Sequence, residues 1–197
     1  MELVRPTLEH LPGFLDALDR GWDWTRDSGR TAQEEIARVL ADPQRFLALM
    51  DDRAAEGGPV EIAPGVTVPR LPSITRWMWD GEFAGQIGLR WQVGTPELPP
   101  TCLGHIGYGV VPWKRRRGYA TEALRQVLPL AAAEGLPYVE ITCDADNEAS
   151  QRVIEANGAE PPERFEKLPV HGGGEGLRFR IDLSRWRAAP TGATLEG

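Results

Sequence analysis

Only two cysteines, Cys102 and Cys143, occur in 197 residues. Two cannot make a disulfide framework, and both read as small buried strand residues. Metal-binding clusters are missing too: His10 and His171 have no neighbours at ligand spacing, so no metal site is expected. No apolar run approaches the ~18 residues of a membrane helix. The opening "MELVRPTLEHLPG" has no basic segment followed by an apolar core, so no signal peptide is expected there. There is no internal repeat. Positive charge is in deficit, with 22 Lys and Arg against 29 Asp and Glu and a formal net charge of −7. A surface built to neutralise phosphates usually makes a domain basic, so general nucleic-acid affinity is not expected. These absences leave a soluble cytoplasmic protein with neither nucleic acid nor membrane as partner.

What is present is ordinary globular material, 41% hydrophobic and 26% charged. It predicts one domain over residues 1–187 and a disordered tail over 188–197. "LVRPT" reads as a strand. Leu8, Leu11, Leu15 and Leu18 mark an amphipathic helix with Thr7 as its N-cap. Thr31 and Glu34 make a capping box for a second helix, which Pro43 should divide. Residues 51–72 are rich in Gly and Pro and read as a loop or irregular hairpin. Asp80-Gly81 between two β-rich runs signals a two-residue hairpin turn. "CLGHIGYGVV" is a strand. "YATEALRQVLPLAAAEG" is a helix that Pro129 should bend, "YVEITCDA" a strand, "EASQRVIEANG" a short helix and "LRFRIDL" a last strand. This order implies an α/β (α+β) fold, a mixed sheet with helices on both faces. The strand, crossover helix and next strand should form a parallel pair.

One stretch departs from the acidic background. "VVPWKRRRGYATEAL" places Lys114 to Arg117 before a glycine and a helix. A solvated charge run, a nucleic-acid contact and a seat for a small polyanion are all open. The first amides of a helix lack internal partners and carry partial positive charge. Gly118 lets backbone approach a ligand, and Ala120 is nearly as small. Arg115-x-x-Gly118-x-Ala120 therefore suits an anion held on amides. No Gly-Lys-Ser/Thr follows, which excludes a Walker loop, and one glycine stands where a Rossmann fingerprint needs three.

Val110, Val111, Pro112, Arg115, Gly118 and Ala120 resemble the acetyl-CoA motif of the GNAT N-acetyltransferases: a strand, often a proline, then Arg/Gln-x-x-Gly-x-Gly/Ala opening a helix. "DADNEASQRVIEANGA" resembles the family's second block, in the expected order, and "WDGEFAGQIGLR" resembles its upstream hairpin. Residues 105 to 159 carry the specific likeness. The resemblance implies a GNAT fold, a mostly antiparallel sheet opened by a splayed parallel strand pair, with acetyl-CoA as cosubstrate. Amides and charges of Arg115, Arg116, Arg117, Gly118, Tyr119 and Ala120 would hold the CoA pyrophosphate. Val110 and Val111 would bond the pantetheine arm like an added strand, and Asn147 would orient CoA or cap its helix. Gly107 and Gly109 would ease a bulge or pack against tryptophans.

The implied reaction is direct attack by a primary amine, in a small molecule or a peptide, on the acetyl carbonyl. Ile154 stands where many relatives carry a tyrosine that assists the leaving thiolate. The branch acting on ribosomal-protein N-termini has a serine nearby, and Ser150 is the candidate here, the alternative being a bond to its own helix. His105, Glu140 and Glu82 are candidate bases beside water-mediated deprotonation, the alternative for His105 being a structural histidine bonded to a loop carbonyl. Trp22, Trp24, Trp77, Trp79, Trp91, Trp113 and the 51–72 insertion are candidate walls of an acceptor site. Another acyl-CoA or acceptor on the same fold, a non-catalytic acyl-CoA-binding module, and a homodimer remain open.

Overall fold

The computed structural model describes residues 1–22, 31–63 and 65–186. Trp24 and the 188–197 tail, for which the sequence raised expectations, lie outside the described residues. The chain opens with β1 (Glu2–Val4). The first helix, α1 (Leu11–Asp19), starts later than the leucine spacing predicts. Pro12 sits in its first turn, where no amide donor is needed, and this fixes the start. Thr7 does not cap it. Its Oγ1 lies 2.8 Å from His10 Nδ1 in the preceding turn, and Leu8 is left 53% exposed. Thr31 and Glu34 form the expected capping box on α2 (Ala32–Ala41), and Pro43 ends that helix and opens α3 (Pro43–Ala48).

Residues 51–72 hold β2 (Asp51–Asp52) and a hairpin of β3 (Val60–Ala63) and β4 (Val66–Val68). The Asp52 carboxylate accepts from the amides of Glu56 at 2.8 Å and Gly57 at 3.0 Å, folding the glycine-rich stretch back. The predicted hairpin forms from β5 (Ser73–Trp79) and β6 (Phe83–Arg90), but Asp80 to Glu82 make a three-residue turn between the paired Trp79 and Phe83. Then come β7 (Ile106–Val110), α4 (Tyr119–Ala133), which continues through Pro129, β8 (Tyr138–Asp144) and α5 (Glu148–Glu155). Two strands close the described chain, β9 (Glu163–Glu166) and β10 (Glu175–Asp182). The sequence reading missed β9. Its residues, ERFE, are charged at all but one position, which hides an edge strand from hydrophobic periodicity.

Two main sheets result. One has the order β1-β5-β6-β7, with β2 also on β5; the other is β8-β10-β9, and every ladder is antiparallel. Between them β7 and β8 run parallel and meet at one end. His105 N donates to Glu140 O at 2.7 Å, and beyond that bond no ladder joins the two strands. This is the splayed pair. β7 keeps unbroken register with β6 from Leu89–Ile106 to Gly85–Val110, so the bulge expected at Gly107 and Gly109 is not there. The special residue is across the ladder: Gly85 has φ +149°, and a Cβ on it would lie 2.2 Å from Gly109 O.

Strand alternation sends Ile74 and Met78 of β5 to one face and Trp77 and Trp79 to the other. The first face packs on α4 and α5 in a core that also takes in Ile141 and Phe179 of the second sheet. The second face packs on Phe14, Leu18, Val39 and Phe46 from the first three helices. Helices thus cover both faces, and the open end of the β7–β8 pair lies beside the N-termini of α4 and α5. No helix among the described residues is long and apolar enough to cross a membrane.

Candidate active site

The loop entering α4 is built around two left-handed residues. Arg116 has φ +61° and Gly118 φ +76°, with no side chain capping the helix. Left-handed residues close together turn successive amides towards one side and make a nest for an anion. Arg115 N bonds weakly to Pro112 O at 3.4 Å, and Lys114 N bonds to Val111 O at 3.0 Å. From Arg116 to Ala120 no main-chain or side-chain acceptor among the described residues takes the amide hydrogens. A nonglycine residue held at positive φ beside unpaired donors is strain kept where a ligand is expected. The chemistry of this donor set fits a pyrophosphate, and Arg115, Arg116 and Arg117 are exposed around it.

Lys114 behaves differently from its three neighbours. It is buried, and its ammonium is held by Asp80 and by Glu82 at 2.7 Å, across the β5–β6 turn. Tyr119 OH donates to the other Asp80 oxygen at 2.5 Å. Burial would raise the Asp80 pKa, but the bonds from Lys114 and Tyr119 outweigh it and hold the carboxyl below its ordinary range. Glu82, a candidate base, is therefore part of a clasp fastening the hairpin turn to the loop entering α4.

Val111 does not face the cleft. Its N–H donates to Ala84 O at 3.0 Å and its side chain is fully buried, so the expectation that it bonds pantetheine is corrected. Alternation then points the main-chain groups of Tyr108 and Val110 away from β6, towards the gap. Arg115 Nε donates to Val110 O at 3.2 Å, so this arginine covers the carbonyl that an added strand would use.

A cavity of about 260 Å³ fills the gap. Ile106, Gly107 and Tyr108 line it from β7, and Ile141 to Asp144 from β8. Asn147 and Ser150 close it from α5, and Lys167 reaches it from beyond β9. Asn147 Oδ1 accepts from Ser150 N at 3.1 Å, so it caps α5 as one reading held. Tyr108 OH donates to Ser150 O at 3.4 Å, and burial pushes its pKa up to about 12. The Cys143 thiol is pushed up to about 11, first by burial and then by Asp144 and Glu155. Both groups remain protonated at neutral pH. Tyr108, Cys143 and Lys167 line the cavity although the sequence reading did not single them out for it. Nothing in the spacing marks Tyr108, because the splay that exposes it is made by strands distant in sequence.

Two candidate bases do not reach this cavity. His105 is 0% exposed, with both ring nitrogens engaged. The Glu140 amide donates to Nδ1 at 2.9 Å, so Nδ1 is unprotonated and Nε2–H donates to Pro96 O at 3.0 Å. Burial lowers its pKa, against the opposing Pro96 bond and Glu140 charge. The ring pins the closed end of the β7–β8 pair and has no face open to a substrate. The Glu140 carboxylate bonds Arg180 at 2.8 Å, with Arg178 at 3.9 Å, on the far side of β8 from the gap. Cys102 lies in a loop, not a strand, and Ile154 is fully buried in the core. Of the tryptophans, Trp22, Trp77 and Trp91 are buried, Trp79 packs on His10, and Arg20 lies 3.7 Å from the Trp113 ring centroid. None of them, nor the 51–72 segment, lines the cavity.

Comparison with known proteins agrees with this architecture. The family profile described as "Acetyltransferase (GNAT) domain" matches residues 1–160. Compared by sequence with curated proteins, the chain matches none. Among solved structures it is similar to RimL, a ribosomal alpha-N-protein acetyltransferase in complex with coenzyme A, at 16% identity and TM-score 0.57 over 91% of this chain and 92% of that one. It is similar to a spermidine N-acetyltransferase from Vibrio cholerae at 12% identity and TM-score 0.57, covering 94% and 97%. An acetyltransferase from Salmonella typhimurium with its cofactor acetyl-CoA matches at 11% identity and TM-score 0.52, covering 98% of each chain.

Proposed function

The chain belongs to the GNAT acetyltransferase family, and from that premise we propose that it moves an acetyl group from acetyl-CoA to a primary amine within a ternary complex. The observation that carries this reading is the run of unpaired amides from Arg116 to Ala120 at the mouth of a cleft between diverging strands. Bound there, acetyl-CoA would supply an activated acetyl thioester. The nest amides would hold its pyrophosphate, with Arg115, Arg116 and Arg117 adding charge. Tyr108 and Val110 would offer main-chain groups to the pantetheine arm once Arg115 yields Val110 O, and Asn147 would use its remaining amide hydrogens.

Ser150 and Tyr108 stand at the α5 side of the cavity, where the thiol end would lie. Tyr108 stays protonated and is a donor for a departing thiolate. A main-chain amide of β7 facing the gap would polarise the carbonyl. With His105 sealed and Glu140 in ion pairs, proton removal from the amine runs through water, and Asp144 is the carboxylate at the cavity wall. The acidic balance of the chain suits a cationic acceptor such as a polyamine, an aminoglycoside or a basic peptide end. Two of the similar structures are named for N-acetyl transfer to a protein and to a polyamine; they support the fold, and the acceptor is our reading.

The test is a panel of primary amines and alcohols with acetyl-CoA, reading free thiol and product mass. Amine acetylation is expected, with Ser150→Ala slowing turnover much more than it weakens CoA binding. CoA binding without turnover on any acceptor would favour a non-catalytic module, the alternative that Ile154 suggests. Acetylation of hydroxyls alone would move the activity to O-transfer.

A further inference from the structure

The protein is short of primary amines. Of 22 Lys and Arg side chains, only Lys114 and Lys167 are lysines. Lys114 is locked between Asp80 and Glu82. Lys167 lies beyond β9, yet its side chain is only 16% exposed, although lysine is ordinarily a solvent-facing residue.

The path of its stem explains this. Lys167 N donates to Gly174 O at 2.9 Å, fixing the backbone beside β10. The stem crosses β10 at Gly176, where a Cβ would stand 3.3 Å from Lys167 Cγ and 2.8 Å from the Phe165 ring. Gly176 pairs with Asp144 of β8, and Lys167 Nζ ends in an ion pair with the Asp144 carboxylate. Beyond Asp144 is the cavity, whose wall Lys167 shares with Cys143, Asn147 and Ser150. The one lysine outside the Asp80 clasp is thus led over a strand, through a gap left by a glycine, to the cavity wall it shares with Ser150, where the thiol end of CoA would lie.

We propose that Lys167 is an internal acetyl acceptor: with acetyl-CoA in the cleft and no other amine present, the protein acetylates its own Lys167. This rests on the acetyl-transfer reading above. The lysine ammonium loses one proton to solvent through Asp144, and the free amine attacks the acetyl carbonyl. A C–N bond forms, the C–S bond breaks, and the second nitrogen proton goes to the departing thiolate. The products are Nε-acetyl-Lys167, CoA thiol and one released proton. The amide formed carries no charge and cannot pair with Asp144. Among the described residues this is the only carboxylate on the cavity wall, so modification leaves it free for a cationic acceptor.

Incubation of the full chain with acetyl-CoA alone, followed by intact mass and peptide mapping, tests this. One acetyl group on Lys167 is expected, with Lys114 unmodified and a first-order rate independent of protein concentration. Lys167→Arg keeps a cation for Asp144 and should stay unlabelled. A rate that rises with protein concentration, or equal labelling of Lys167 in a Gly118→Glu variant, would assign the modification to bulk solution and overturn the proposal. Calorimetric titration with CoA on the same sample separates the two ideas. Absent binding would remove the acetyl-transfer reading and this one with it. Binding and acetylation of added amines, with Lys167 unmodified, would remove this one alone.

Discussion

Gly118 and His105 make opposite demands on a substitution. At Gly118 no atom lies within 4 Å of an added Cβ, so space is not the obstacle; the φ of +76° is. Gly118→Glu places a strained residue and a negative charge at the proposed phosphate seat. CoA affinity should fall at least about tenfold, roughly 1.4 kcal/mol, by calorimetry, and an unchanged affinity would dissociate this loop from CoA. His105 speaks through pH. Its folded pKa lies below the ordinary value near 6.5, so the unfolded chain takes up the proton first as pH falls. Its contribution is intact above the unfolded pKa and is lost as pH drops through that value towards the folded one. Melting temperatures at about pH 7.5 and 5.5 should show wild type losing more than a His105→Asn variant, itself lower at both. Parallel losses would mean that another group titrates.

Among the elements, the clasp between the β5–β6 turn and the loop entering α4 sets one buried cation against two carboxylates. Lys114→Ala leaves Asp80 uncompensated and should cost about 3 kcal/mol in urea unfolding. Lys114→Met, which keeps the stem packed but removes the ammonium, should lose most of the same stability, and a loss confined to Lys114→Ala would place the effect in packing alone. The loop itself was legible because Arg115, Gly118 and Ala120 fall within one short stretch of the sequence, with no distant segment needed to bring them together. The capping box of α2 and the break at Pro43 were legible for the same reason. Four misreadings have physical causes. The α1 start was set by Pro12 rather than by the leucine period. β9 carries charge where a strand reading wants apolar residues. His105 looked like a base because its type and pKa suit one, while its burial depends on Pro96 and Glu140 from other segments. Tyr108 was passed over since its place on the cavity wall is made by the β7–β8 gap, which no local pattern announces.

At the scale of the whole molecule, two sheets share a core under α4 and α5 but touch along β7 and β8 at one end only. A ligand that bonds to both sides should tie the sheets together. At about 100 times its dissociation constant CoA should add about 2.7 kcal/mol by mass action. For a chain of this size that raises the melting temperature by roughly 5–10 °C in a thermal-shift titration. No shift at saturation would mean that the cleft does not take CoA in the folded state. The scarcity of lysine has a practical side. Chemistry aimed at ε-amines, as in coupling to a sensor chip or attachment of a succinimidyl dye, has few targets apart from the chain terminus. Lys114 is shielded, so such reagents would converge on the cleft wall at Lys167, and a chip prepared that way would present molecules tethered by their own doorway.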